Sequence, residues 1–192
     1  MRKGEELDVA AVDRWLRTVA PDLDGLPEVT QYSGGASNWT YRLRYANRDL
    51  VLRRPPAGTK ATSAHDMARE YHIQRALAPV YPLVPGMVGL CEDPGVLGVT
   101  FYVMTRIDGP IPRARLPKGV AFTPEDVRRL CTHVIDALID LHRVDATAAG
   151  LARFGKGPGY PRRQVEGWSG RYVKARTWNV PTFGLLAGTF NS

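Results

Sequence analysis

Cysteine is scarce. Cys91 and Cys131 are the only two in 192 residues, too few for a disulfide framework or a zinc site. Both lie in apolar stretches and are read as small core residues. No run of about 18 apolar residues occurs, so the sequence offers no membrane-spanning helix. The start, Met1-Arg2-Lys3-Gly4-Glu5-Glu6, leads into no apolar segment of the signal-peptide kind. A cytoplasmic protein with no membrane partner is expected. Internal repeats are absent, and Thr177 to Ser192 holds no charged residue and no clean periodicity.

Acidic residues are also in short supply. Nineteen face 26 basic ones, giving a net charge of +7. The imbalance is concentrated between Arg153 and Arg176, where seven basic residues stand against Glu166 alone. A basic excess suits nucleic acid, a membrane surface or a phosphorylated ligand. No zinc-finger or RNP-type signature supports nucleic acid. A solvated basic surface that favours anionic ligands is the better reading, and a nucleic-acid-binding domain ranks well below it. The length accommodates one ordinary domain, or a small lobe plus part of a larger one.

The stretch Gln31 to Pro56 organises the rest. In Trp39 to Tyr45 the residues Trp39, Tyr41, Leu43 and Tyr45 alternate with Thr40, Arg42 and Arg44, the period of a strand with one buried face. Asn47 to Asp49 provide turn chemistry. Leu50 to Arg54 form a second strand, ended by Pro55-Pro56, which cannot continue a ladder. The preceding loop, Ser33-Gly34-Gly35-Ala36-Ser37-Asn38, is small and polar. Its backbone N–H groups could face phosphate oxygens, or it could be an ordinary turn. Val51 and Arg53 share a strand face, so a cation there could reach a phosphate under the loop.

Helical spacing of Val9, Val12, Leu16 and Val19 predicts a packing helix capped by Asp8. A second helix is expected over Ala64 to Ala78, stopped by Pro79. Met67, Ile73 and Leu77 mark its apolar arc, and Glu70 falls within that arc. A carboxylate there needs a partner. The candidates are Arg53 on the preceding strand, or Arg69 and solvent at the edge of the face. Met87 to Cys91 and Val99 to Met104 read as strands around a turn at Glu92-Asp93-Pro94-Gly95. The segment Thr105-Arg106-Ile107-Asp108-Gly109 after them suits either a lobe connector with free backbone groups or an ordinary edge turn. Thr123-Pro124-Glu125-Asp126 is a strong helix start. From there Val127, Leu130, Cys131, Val134, Ile135, Leu138 and Leu141 form a wide apolar stripe reaching His142. His133 and His142 are too far apart to share a ligand, and Asp145 begins the exit turn. A glycine- and proline-rich loop, Phe154 to Pro161, precedes an amphipathic stretch from Arg163 to about Arg176.

As an ordered set, these pieces resemble the aminoglycoside phosphotransferase (APH) family with its protein-kinase-like fold. The carrying residues are Ser33 to Tyr41, Val51-Leu52-Arg53-Arg54-Pro55-Pro56, Met67-Ala68-Arg69-Glu70-Tyr71 and Phe101 to Met104 with Asp108-Gly109. Leu138 to Asp145 and Arg162 to Trp168 extend the likeness, which covers about residues 8–176. The branch is similar to the kinase-like domains fused to some acyl-CoA dehydrogenases. The resemblance implies an α+β chain. An N-terminal antiparallel β lobe with its helix C would span residues 1–104, a hinge 105–109, and the first helices of an incomplete α-rich lobe 110–192. It implies ATP and Mg²⁺ as cofactors and a small-molecule hydroxyl as acceptor. Ser33, Gly34, Gly35, Ala36, Ser37 and Asn38 would cover the phosphates. Val51 would line the same cleft. Arg53 would take the place of the usual lysine and pair with Glu70. Met104, Thr105, Arg106 and Ile107 would hold the adenine.

Two departures stand out. Arginine is a planar fork where the family has a point charge. The family's His-Gly-Asp-x-x-x-x-Asn loop, which carries the acceptor-positioning Asp and a metal-binding Asn, is absent. His142-Arg143-Val144-Asp145 has no following Asn at the right spacing. No catalytic residue and no metal ligand is therefore assigned in this chain. The chain is expected to be an N-terminal fragment, by truncation or frameshift, inactive alone and prone to self-association through the uncovered Val127–Leu141 face. The alternative is a non-catalytic nucleotide- or CoA-binding kinase-like module.

Overall fold

The computed structural model describes residues 6–32, 38–56, 66–109 and 121–180. The chain divides into two compact units, Met1–Leu151 and Ala152–Ser192.

The first unit is built on a five-stranded antiparallel sheet. Its strands are β1 (Glu28–Gln31), β2 (Trp39–Arg44), β3 (Asp49–Arg54), β4 (Met87–Cys91) and β5 (Phe101–Thr105), in the order β1-β2-β3-β5-β4. β2 and β3 match the alternation in the sequence. The edge strand β1 has no counterpart in the sequence reading. Its four residues, Glu28-Val29-Thr30-Gln31, contain one apolar side chain and become a strand only by pairing with Arg44 to Tyr41.

The pleat sends alternate residues to two different helices. Leu50, Leu52, Phe101 and Val103 join Tyr41, Leu43 and Tyr45 in a core shared with Val12 and Leu16 of α1 (Val9–Val19). Asp8 caps that helix by accepting from the Ala11 N–H at 2.9 Å. Trp15 packs edge-on against Phe101, with ring centroids 4.9 Å apart. Met67 and Tyr71 of α2 (Met67–Leu77) pack on the opposite face with Tyr102 and Met104. α2 begins at Met67, three residues later than the spacing suggested. Asp66 is the reason: its carboxylate accepts from the Arg69 N–H at 2.8 Å and so sets the first turn.

The turn expected at Glu92 to Gly95 is instead the start of a short helix, α3 (Pro94–Leu97). Asp93 caps it through Gly95 N–H at 2.8 Å, and Gly98 ends it at φ 72°. A left-handed C-terminal residue is a position glycine occupies at little cost. The long helix α4 (Pro124–Arg143) begins with a capping box. Thr123 Oγ1 accepts from Asp126 N–H at 3.1 Å, and Asp126 Oδ2 accepts from Thr123 N–H at 3.0 Å. The predicted stripe is present but exposed from Val127 to Leu138, with Leu141 half-buried, and Cys131 is exposed with it. The core role expected of Cys131 is thus wrong, whereas Cys91 is buried. Helical periodicity gives a residue its face, but tertiary packing decides whether that face is covered. His133 and His142 are both exposed, and Asp145 accepts from the Thr147 and Ala148 N–H groups in the exit turn.

In the second unit a 3-10 turn (Ala152–Phe154) precedes α5 (Tyr160–Ala175). Tyr160 and Pro161, read from the sequence as loop, form its first turn. Gly159 at φ 74° precedes them, and proline is tolerated in the first turn, where its missing N–H has no helical partner. Among the described residues no helix is long and apolar enough to cross a membrane.

Candidate functional site

The site lies on the α2 side of the sheet. In β3, Leu50, Leu52 and Arg54 turn to the α1 core, leaving Val51 and Arg53 on the other face. The two neighbouring arginines consequently do different work. Arg54 is buried beneath the α1 side. It donates to Glu6 O at 3.0 Å and Tyr41 Oη at 3.2 Å, and its guanidinium stacks over Trp39 at 4.7 Å. It is a packing residue. Arg53 instead brings Nη1 to within 3.5 Å of Glu70 Oε2, so it is a partner of Glu70, as one of the two readings had it.

Both side chains of this pair are about one-third exposed. A pair so hydrated contributes about 0–1 kcal/mol to stability. Its significance is therefore orientation. Glu70 is also held elsewhere: Oε1 accepts from Asn38 Nδ2 at 3.4 Å and Oε2 from the Tyr102 hydroxyl at 3.0 Å. Arg53 Nε and Arg54 Nε are both buried without a hydrogen-bond partner among the described residues.

On the same sheet face lies a cavity of about 470 Å³. Val51, Met104, Thr105, Arg106 and Ile107, all singled out from the sequence, line it. Tyr32, Thr40, Gln74, Pro85 and Gly109 complete the wall. None of these five was singled out for the site. Thr40 is legible in hindsight, because it alternates with Trp39 and Tyr41 and so faces away from the α1 core. Gln74 lies one helical turn beyond Glu70. Tyr32 and Pro85 come to the wall by tertiary placement, which no local pattern carries. Ser33, Gly34, Gly35, Ala36 and Ser37 fall outside the described residues.

Charged groups brace the cavity rim. Asp49 receives a two-pronged contact from Arg42, Nε at 2.8 Å and Nη2 at 2.6 Å. It also accepts from Arg106 Nη1 at 3.1 Å, while the Arg106 N–H bonds Asp49 O at 2.9 Å. The Arg42 bonds, followed by the charge and hydrogen bond of Arg106, hold the Asp49 carboxyl below the usual carboxylate range. Arg106 Nε reaches Tyr32 Oη at 3.3 Å, tying the segment after β5 to the residue that follows β1. No three His, Cys, Asp or Glu side chains among the described residues form a metal-binding group.

Comparison with known proteins bears on this geometry. The model of the phosphotransferase enzyme family (APH) matches residues 28–184. Acyl-CoA dehydrogenase family member 11 of Gallus gallus is 36% identical over 192 residues, covering 97% of this chain and 24% of that protein. Family member 10 of Mus musculus is 35% identical over 187 residues, covering 97% and 17%. A crystal structure from Ralstonia eutropha, described as a candidate aminoglycoside phosphotransferase, superposes with a TM-score of 0.74 at 29% identity. That match covers 92% of this chain and 50% of the other. The chain thus spans about a quarter or less of the length of these curated relatives.

Proposed function

The chain belongs to the phosphotransferase enzyme family and carries its protein-kinase-like fold, and from that premise we propose that it grips the nucleotide of an ATP-dependent small-molecule kinase in the cytoplasm. In that reaction class the γ-phosphoryl group passes to a substrate hydroxyl. The bond to the β,γ-bridging oxygen breaks, ADP departs and the hydroxyl loses its proton.

One observation carries the proposal: the 470 Å³ cavity opens on the sheet face that also presents Arg53 and Glu70. The volume is typical of a small-molecule site. Val51 and Met104 offer apolar surface to a flat base. The backbone groups of Thr105 to Ile107 offer donors and acceptors at the rim. Arg53 lies two positions beyond Val51 along β3, where a polyphosphate leaving the cavity would meet it. Its guanidinium fork favours two-point contact with phosphate oxygens. Glu70 holds the guanidinium in place. Ser33 to Ser37 would cover the phosphates. In this account residues 1–104 are the first lobe, 105–109 the hinge, and 110–192 the start of the larger lobe.

Mg²⁺, which would neutralise phosphate charge in that reaction, would need ligands beyond the described residues, which hold no group of three His, Cys, Asp or Glu suited to it. The sequence lacks the His-Gly-Asp loop that in this family serves the acceptor hydroxyl. On its own residues the chain binds nucleotide and does not transfer phosphoryl. That absence favours a second reading, a nucleotide- or CoA-binding module without catalysis.

Calorimetric titration and thermal shift with ATP, CoA and a short DNA duplex separate the readings. ATP binding that weakens about tenfold or more in Arg53→Ala supports the proposal, since hydrogen bonds to charged groups are worth about 1.5–3 kcal/mol. Stabilisation by CoA without ATP moves the conclusion to the second reading. Selective stabilisation by DNA with a steep salt dependence overturns both.

A further inference from the structure

Tyr102 is fully buried in the middle of β5 and stands directly across the ladder from Arg53. A buried phenol needs a hydrogen-bond partner. Here the hydroxyl donates to Glu70 Oε2 at 3.0 Å and accepts from Gln74 Nε2 at 3.4 Å. Gln74 Nε2 also lies 3.4 Å from Glu70 O, one turn back on α2. The contact to Tyr102 is shorter than the 3.5 Å approach of Arg53 to the same carboxylate oxygen.

That difference matters because of rigidity. Arg53 and Glu70 are long, flexible and one-third exposed, so on their own they would hold each other loosely. Tyr102 has two side-chain torsions. It is packed among Met67, Met87, Leu90 and Met104, with the Tyr71 ring 6.3 Å away. Tyr102, fully buried and with few torsions, holds the carboxylate oxygen that Arg53 approaches.

Resting on the nucleotide reading above, we propose that Tyr102 is a positioning residue. Its hydroxyl fixes the Glu70 carboxylate, and Glu70 in turn sets where the Arg53 guanidinium meets the nucleotide phosphates. The ionisable groups facing the phenol are Arg53 from β3, Glu70 and Tyr71 from α2. Gln74 and Asn38 are neutral members of the cluster. Burial pushes the Tyr102 phenol up to about 12, with the Arg53 charge acting downward and Glu70 acting upward. The hydroxyl therefore remains a donor throughout the physiological range. A tyrosine serving only as core filler would also need a partner for its hydroxyl, but its replacement by phenylalanine would leave the Arg53 guanidinium and nucleotide affinity unchanged.

The test uses the 192-residue chain with Tyr102→Phe, Glu70→Gln and the double variant. Tyrosine ring carbons are followed by NMR through alkaline pH, and the resonance lost in Tyr102→Phe identifies Tyr102. Removing the Glu70 charge should lower its titration midpoint, and an unchanged midpoint overturns the contact. Arg53 Nε–H exchange should quicken in Tyr102→Phe, and an unchanged rate overturns the relay. ATP affinity should fall about three- to tenfold in Tyr102→Phe, the size of one net hydrogen bond. The loss should not add to that of Glu70→Gln. Wild-type affinity in Tyr102→Phe, or full additivity, contradicts the inference. If the unaltered chain binds no ATP, the nucleotide reading fails, and the titration and exchange measurements decide the Tyr102–Glu70–Arg53 relay separately.

Discussion

Helices α1 and α4 are written in the same local grammar and end in different circumstances. Each opens on a side-chain cap, Asp8 in one and the Thr123–Asp126 box in the other. Each carries an apolar stripe at helical spacing. In α1 the stripe meets the sheet, and Val12 and Leu16 are 0% exposed. In α4 Val134 and Ile135 stay 58% and 55% exposed, and no residue of the helix is buried. Caps and periodicity are local and specify a helix. Cover is a tertiary property, so the same pattern supports a core in one place and an open face in the other.

The comparison makes predictions that run from large effects to small. Leu16→Ala should cost about 2–5 kcal/mol in denaturant unfolding, because it empties a closed core. Alkali should loosen the other covered face of the sheet, the one packed against α2. The folded pKa of Tyr102 is raised above its unfolded value near 10. Its stabilisation is therefore complete below about pH 10 and lost as pH rises toward about 12. Near-ultraviolet dichroism should record the loss, and Tyr102→Phe should flatten that limb.

On the open helix the order of importance inverts. Thr123→Ala should cost about 1 kcal/mol of α4 helicity, more than any single apolar truncation along the stripe. Acid should act there as well. The Thr123 side-chain and backbone hydrogen bonds hold the Asp126 carboxyl below its ordinary value. Its contribution is present above about pH 4 and is lost as pH falls through the depressed folded pKa. Helicity measured at low pH should fall less in Asp126→Asn. Leu138→Ala should stay within about 0.5 kcal/mol of the unaltered chain. A Leu138→Ala cost comparable to that of Leu16→Ala would break the comparison, for it would mean that the α4 face is covered.

Much of this molecule could be read before its coordinates. The alternation from Trp39 to Tyr45 and the Pro55-Pro56 stop placed β2 and β3 to within a residue. Sharing a face put Arg53, and not Arg54, toward Glu70. What escaped was whatever depends on long-range partners. β1 has too few apolar residues to announce itself and exists by pairing with β2. Asp93 turned the presumed turn between β4 and β5 into α3 through one side-chain bond. Cys131 obeys its helical stripe but lies on a face with no cover. Within the site, Tyr102 and Gln74 were invisible for the same reason. Each lies in a recognisable element, but only the β3–β5 register brings the phenol beside Arg53. Their shared relation to Glu70 is a product of that register.

The central claim is that the cavity at Val51 and Met104, with Arg53 beside it, holds a nucleotide and its phosphates. Titrating isotope-labelled chain with a non-hydrolysable ATP analogue, while following backbone amides and the Arg53 Nε–H by NMR, tests it most directly. Saturable shifts at Thr105 to Ile107 and at Arg53 Nε–H, with the hinge shifts weakened in Arg53→Ala, are the expected result. Shifts confined to the basic residues of α5, or none at saturating analogue, would contradict it.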